Sequence, residues 1–338
     1  MFGNVRIEWY FCILNYESQV SYYQHIQKSP FIITEDFMPI TKLEQIFDVL
    51  KSKSKKKLVA AYANDSHTIE AVSEAVDKGI VDAILVGDET TMRDVCTKLN
   101  IDAGKFRLVH EPNEAKAAAK AVSLINAGEG NILMKGLVST DKYMKAILNK
   151  EEGLMNPGAI LSHVTVIENP IYPKLLIVGD VAIIPLPDFK QKVALVNYLI
   201  NTAHALDIPK PKVAVISATE QMLAGIPSSA EGAMLAKMAD RGQIKDAYID
   251  GPLALDTAID PESAQIKKLS GPVAGDADCL LFPNIETGNV FYKTNTKLAG
   301  AELGAFVAGA RVPCVLSSRG DSALTKLYSI ALAALIAK

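Results

Sequence analysis

The residues of this chain best suited to chemistry fall in four short segments. One is Ser317-Ser318-Arg319-Gly320-Asp321-Ser322. Arginine presents a rigid two-pronged donor that matches phosphate, and a helix starting just beyond it adds partial positive charge. Asp321 supplies either a carboxylate for proton transfer or a structural ion-pair partner for Arg319. A second segment, Lys135-Gly136-Leu137-Val138-Ser139-Thr140, gathers an ammonium, backbone N–H groups and two hydroxyls ahead of a helix. Such a turn suits an anion, and helix capping by Ser139 or Thr140 explains the hydroxyls equally well. In the third, Pro283-Asn284-Ile285-Glu286-Thr287-Gly288-Asn289, polar residues follow an apolar run directly, as the lip of a pocket or as a turn with its N-cap. The fourth, Asp250-Gly251-Pro252-Leu253-Ala254-Leu255-Asp256, sets two carboxylates around a Gly-Pro turn, where Asp250 also serves as a strand-end cap.

The elements that must hold these segments alternate. Apolar runs at 58–62, 82–86, 106–110 and 131–135 read as strands, and amphipathic stretches at 68–78, 90–99, 114–127 and 140–148 read as helices. Continuous apolar strands between amphipathic helices predict a parallel sheet covered on both faces. The rhythm breaks at 151–159, a Gly-, Asn- and Pro-containing crossing. The runs at 164–166 and 175–185 have no helix between them, which predicts some antiparallel pairing. Helix 190–206, strand 213–217, helix 230–239, strand 247–249, helix 261–269 and strand 279–282 follow. One long helix is expected over 290–310, with Gly300, Gly304 and Gly309 allowing close helix packing. Strand 313–317 and helix 323–337 end the chain. All four segments then lie at carboxyl ends of strands, where open α/β sheets bind ligands.

Composition narrows the choice further. A chain of 338 residues exceeds the size at which one core keeps growing, so two domains are expected. Hydrophobic residues at 49% and charged residues at 22% are ordinary globular usage. A net charge of −3 gives no electrostatic reason to expect nucleic acid as a partner. No apolar run approaches the roughly 20 residues that span a bilayer. Four scattered cysteines form neither a disulfide framework nor a zinc site, and a reducing cytoplasm fits them. Gly-x-Gly-x-x-Gly after the first strand, the P-loop and Gly-x-Ser-x-Gly are all missing, which disfavours a Rossmann dehydrogenase, a P-loop kinase and an acyl-enzyme serine hydrolase. Nine of the 22 aromatics crowd into residues 1–37, and a capped helix start follows Met38, so 1–37 reads as an upstream extension.

Taken in order, the four segments resemble the phosphate acetyl/butyryltransferase family across 38–338. The likeness is most specific in Ser318-Arg319-Gly320-Asp321-Ser322, Gly251-Pro252-Leu253 and Pro283-Asn284; Leu161-Ser162-His163-Val164 and Ser217-Ala218-Thr219-Glu220 support it. The resemblance implies a two-domain α/β fold of the isocitrate/isopropylmalate-dehydrogenase type with an interdomain cleft. Its first domain would be 38–157 plus 311–338 and its second 158–310. It implies a cytoplasmic homodimer that converts acyl-CoA and phosphate into acyl phosphate and CoA, without metal or redox cofactor. Arg319 would hold phosphate and stabilise the thioester oxyanion, and Ser318 would hydrogen-bond the reacting groups. Lys135, Ser139 and Thr140 would seat phosphate, Glu286 and Asn289 would line the cleft, and Asp256 belongs with the phosphate/CoA-binding set. Acetyl-transferring members carry an aspartate six residues past the arginine, where this chain has Thr325. Asp321 is the nearest replacement, as base or as orienter of Arg319, and this departure leans toward the butyryl-type branch. The alternatives are a phosphate acetyltransferase, a decarboxylating dehydrogenase of the same fold with nicotinamide and a divalent metal, and a silent relative, against which an intact Ser318-Arg319 argues.

Overall fold

The computed structural model describes residues 39–317 and 321–338; the expectations for 1–37 and the start at Met38 lie outside the described residues. Residues 39–338 form one compact unit. Helix α1 (Gln45–Lys51) leads into β1 (Lys56–Ala61), α2 (Ser66–Asp77), β2 (Val81–Gly87), α3 (Glu89–Lys98), β3 (Phe106–His110), α4 (Glu114–Asn126), β4 (Ile132–Lys135) and α5 (Thr140–Ile147). The helices start where short polar side chains capture orphan N–H groups: Asp65 accepts from Thr68, Asp88 from Thr91, and Asn113 from Ala115 and Lys116.

After the crossing come β5 (Ser162–Glu168), β6 (Leu176–Gly179), α6 (Phe189–Ala205), β7 (Lys212–Ile216), α7 (Pro227–Asp240), β8 (Tyr248–Leu253), α8 (Leu255–Ile259), α9 (Pro261–Ile266) and β9 (Cys279–Leu281). Then follow α10 (Ile285–Lys297), β10 (Glu302–Ala308), β11 (Cys314–Val315) and α11 (Ala323–Ile336). Two expectations are corrected here. The long helix over 290–310 is instead a helix that stops at Lys297 and a strand. Gly300 takes φ +66° at the break, a conformation that favours glycine; Gly304 lies inside β10 and Gly309 just past its end. The strand expected at 247–249 runs on to Leu253, so Asp250-Gly251-Pro252 is strand backbone rather than a turn after it.

The strands form one eleven-stranded sheet in the order β3-β2-β1-β4-β11-β10-β5-β6-β9-β7-β8. From β3 to β11 every pairing is parallel, and so is every pairing from β6 to β8. Between these blocks β10 and β5 pair antiparallel with each other and with their outer neighbours. Three reversals make the two blocks run in opposite directions, and β10 and β5 form the seam where they meet. Both faces are covered: Leu58 and Ala60 of β1 join one apolar cluster, and Val59 and Ala61 join another. Helix α11 packs on β10 and is buried nearly all round, with Leu327, Ile330 and Leu332 fully enclosed. Each such side chain contributes about 1.5–3 kcal/mol relative to exposure, which anchors the end of the chain beside the seam.

Candidate active site

A cavity of about 270 Å³ opens at this seam. The first block lends Thr140, at the start of α5, and Leu316 and Ser317, just past β11. The seam strands lend His163, Leu303 and Ala305. The second block lends Val181 and Ala182 after β6, and Asn289, Tyr292 and Lys293 on α10. Asp321 and Ser329 complete the lining. Thr140, Asn289 and Asp321, each singled out from the sequence in a different segment, thus converge on one space.

The second-block wall is held by hydrogen bonds. Asp180 is buried, 2% exposed. Its carboxylate accepts from the Ser162 hydroxyl at 3.1 Å, the His163 N–H at 3.1 Å, the Ala182 N–H at 2.6 Å and the Ile183 N–H at 2.8 Å. Four donors fill the roughly four acceptor sites of an ionised carboxylate, and they tie the start of β5 to the turn after β6. Helix α10 then docks on that turn. A Cβ at position 288 would lie 2.2 Å from the Asp180 carbonyl oxygen, so only glycine allows the approach. The Asn289 amide completes the join by donating to the Val181 carbonyl at 3.1 Å, and Asn284 caps the helix by accepting from Thr287 at 2.9 Å.

Asp321 faces this wall beside the Tyr292 phenol. Burial, then the negative charge of Asp321, pushes that phenol up to about 12. The Lys293 ammonium lies 4.2 Å from the Tyr292 ring centroid. His163 is buried at 6% exposure, with Nδ1 3.1 Å from the Thr165 hydroxyl. Burial holds the imidazole below its ordinary value; Asp180 and Asp321 oppose that shift and Lys293 reinforces it. A neutral imidazole at the start of β5 therefore lines the cavity together with Leu316. An adjoining cavity of about 350 Å³ shares Tyr292, Lys293, Leu303 and Asp321 and adds Lys297, Ser322 and Thr325. Thr325, at the position where acetyl-type members carry aspartate, lines that neighbour; Asp321 lines both.

Ser318 and Arg319 are outside the described residues, and the remaining predicted residues do not line this cavity. Lys135 is buried at the end of β4, and among its contacts is the Gly136 carbonyl at 3.2 Å. Ser139 is the N-cap residue of α5. Three of the backbone donors there are committed within the fold. The Gly136 N–H bonds Ala61, the Leu137 N–H bonds Tyr62, and the Ser139 N–H bonds the Glu114 carboxylate at 2.6 Å. Lys142 and that N–H hold Glu114 below the usual carboxylate range. Glu286 is exposed on the first turn of α10. Asp256 is exposed, 3.5 Å from the Lys267 ammonium, and does not line the cavity. His163, Ala305 and Tyr292 were missed as site residues. The signal for the first was a Ser-His pair opening an apolar strand.

A family model described as phosphate acetyl/butaryl transferase matches residues 41–120 and 106–334. The phosphate butyryltransferase of Clostridium acetobutylicum is 47% identical over 298 residues, covering 88% of this chain and 99% of that protein. The phosphate acetyltransferase of Rhizobium meliloti is 39% identical over 297 residues, covering 88% and 94%. Among solved structures, a branched-chain phosphotransacylase from Enterococcus faecalis V583 matches with a TM-score of 0.72 at 30% identity, over 84% of this chain and all (100%) of that one. The 4-hydroxythreonine-4-phosphate dehydrogenase of Klebsiella pneumoniae matches with a TM-score of 0.51 at 13% identity, over 84% and 100%, and shares the fold alone. The α/β architecture is thus of the dehydrogenase type the sequence led one to expect.

Proposed function

The chain belongs to the phosphate acetyl/butaryl transferase family, and from that premise we propose that its preferred substrate is butyryl-CoA and that the seam cavity is its reaction site. It is an acyltransferase that interconverts acyl-CoA plus phosphate with acyl phosphate plus CoA. The observation that carries the site is the convergence of Thr140, Asn289 and Asp321 on one cavity, beside the residue that leads into Ser318-Arg319.

In this reading a phosphate oxygen attacks the thioester carbonyl, the C–S bond breaks, and the sulfur leaves with a proton. Arg319 stabilises the oxyanion that forms in between, a contribution of roughly 3–4 kcal/mol for one preorganised donor. Ser318 hydrogen-bonds the reacting groups, and Thr140 and Lys135 help to seat phosphate. Asp321 takes the proton that the attacking phosphate gives up and passes it to the departing sulfur, and the other direction runs the same transfers backward. Electrons do not enter the balance, and the proposal includes no metal.

The butyryl preference rests on the greater likeness to a butyryltransferase and on Thr325 in place of an aspartate. Among the described residues no helix is long and apolar enough to cross a membrane, and Cys96, Cys279 and Cys314 are free and buried. A cytoplasmic homodimer completes the reading. The test is colorimetric detection of free thiol from butyryl-CoA and acetyl-CoA, with and without phosphate. Phosphate-dependent release, faster with butyryl-CoA, is expected. Release that ignores phosphate would sink the reading, and a tenfold advantage for acetyl-CoA would move the chain to the acetyl branch.

A further inference from the structure

The floor of the cavity has a gap in it. Along β10, Leu303, Ala305 and Val307 turn to one face of the sheet, because successive side chains alternate. The ladder sets Leu303 opposite Ile167, Ala305 opposite Thr165 and Val307 opposite His163. On the other flank Val307 pairs with Cys314 antiparallel, so Leu316, two residues on, comes level with Ala305. Ala305 therefore ends at a methyl between larger neighbours: Leu303 and Val307 along its own strand, Leu316 beside it. Leu303, Ala305, Leu316 and Val181 all line the cavity, so its apolar part adjoins the polar part formed by Thr140, Ser317 and Asp321.

We propose that this notch receives the alkyl tail of the acyl group and that Ala305 sets the chain length the enzyme accepts. The thioester carbonyl lies by Ser317 and Asp321, and the third and fourth carbons of a butyryl chain lie over Ala305, between Leu303 and Leu316. The inference rests on the cavity being the acyl-transfer site. A larger residue at 305 fills the space of the tail and leaves the carbonyl end alone. The Ala305 N–H is held by the Ser329 hydroxyl, to which it donates at 3.0 Å.

The experiment compares wild type with Ala305→Gly, Ala305→Val and Ala305→Leu on acetyl-, butyryl- and hexanoyl-CoA, with phosphate, alongside melting temperatures. Valine and leucine should lower kcat/KM for butyryl-CoA about tenfold or more, the scale on which apolar pockets sort methylenes. Acetyl-CoA should change less than about threefold, and KM for phosphate should hold. Glycine should raise hexanoyl-CoA relative to butyryl-CoA. Should the leucine variant fail to fold, the glycine and valine variants decide the outcome. An active wild type whose butyryl-to-acetyl ratio is unmoved in folded variants overturns this proposal alone. A wild type with no phosphate-dependent thiol release overturns the acyl-transfer reading, and this one with it.

Discussion

Two turns meet at the cavity, and each brings an aspartate. In the turn after β6, Asp180 accepts from Ser162, His163, Ala182 and Ile183, and is buried with its acceptor sites filled. In the turn before α11, Asp321 is partly exposed, lines both cavities, and lies beside the Tyr292 phenol of α10. A carboxylate saturated by the donors of its own fold cannot also take a thiol proton; it builds the wall. One that lines two cavities beside a phenol is placed to do chemistry. The first turn therefore holds shape, the second is the one we propose to support turnover, and each can be broken by substitution.

The largest expected effect belongs to the chemical turn. Arg319→Ala should lower turnover ~100-fold or more, as loss of an oxyanion donor does, with the melting temperature close to that of wild type. Arg319→Lys should recover little, because lysine lacks the two-pronged donor. Near-normal rates in steady-state assays would remove this turn from the chemistry.

The paired aspartates come next. Asp180→Asn replaces an acceptor-only group with one that carries two donors, opposite donors already aimed at it. It should cost about 2–4 kcal/mol of stability by urea titration, the scale for disrupting a buried charged hydrogen-bond network. Asp321→Asn should leave stability within about 1 kcal/mol and lower turnover roughly 10- to 100-fold, within the range for loss of a proton-transfer group. The reverse pattern, a stable Asp180→Asn and an unstable but active Asp321→Asn, would exchange the roles of the two turns.

How far the sequence can be read depends on what decides each element. The alternation from β1 to α5 is readable because apolar runs and caps are local signals. The stretch from Leu303 to Ala308 is not, since Leu-Gly-Ala-Phe-Val-Ala suits a helix as well as a strand. What decides it is pairing with β5 and β11, far away along the chain. Thr140, Asn289 and Asp321 can be found because polar residues after buried strands stand out. Ala305 cannot, since an alanine matters only when its neighbours on the same face are known. At the turn after Lys135 the sequence likewise hides that the Gly136 and Leu137 N–H groups bond the Ala61 and Tyr62 carbonyls at the end of β1.

His163 touches both turns. Asp180 and Asp321 face it, together with Lys293 and the Leu316 carbonyl, and burial keeps it neutral. Its folded-state pKa lies below the unfolded value of about 6.5. Below that pH the unfolded chain binds the extra proton, so the contribution is complete above about 6.5 and is lost as pH falls toward and through the folded value. Stability should decline from pH 6.5 to 5 by at most about 1.4 kcal/mol per unit for this one proton. His163→Gln should flatten that part of the profile, whatever its stability at pH 7. An unchanged slope in the variant would assign the titration to other groups.

The smallest effect sharpens the chemical side. Tyr292→Phe keeps the ring under Lys293 and removes only the hydroxyl beside Asp321. If that hydroxyl merely filled space, turnover would stay put. If it positions the carboxylate, turnover should fall about threefold, roughly 0.7 kcal/mol of barrier, with KM for phosphate and the melting temperature near those of wild type. A wild-type profile in every respect would detach Tyr292 from the chemistry and leave Asp321 to act on its own.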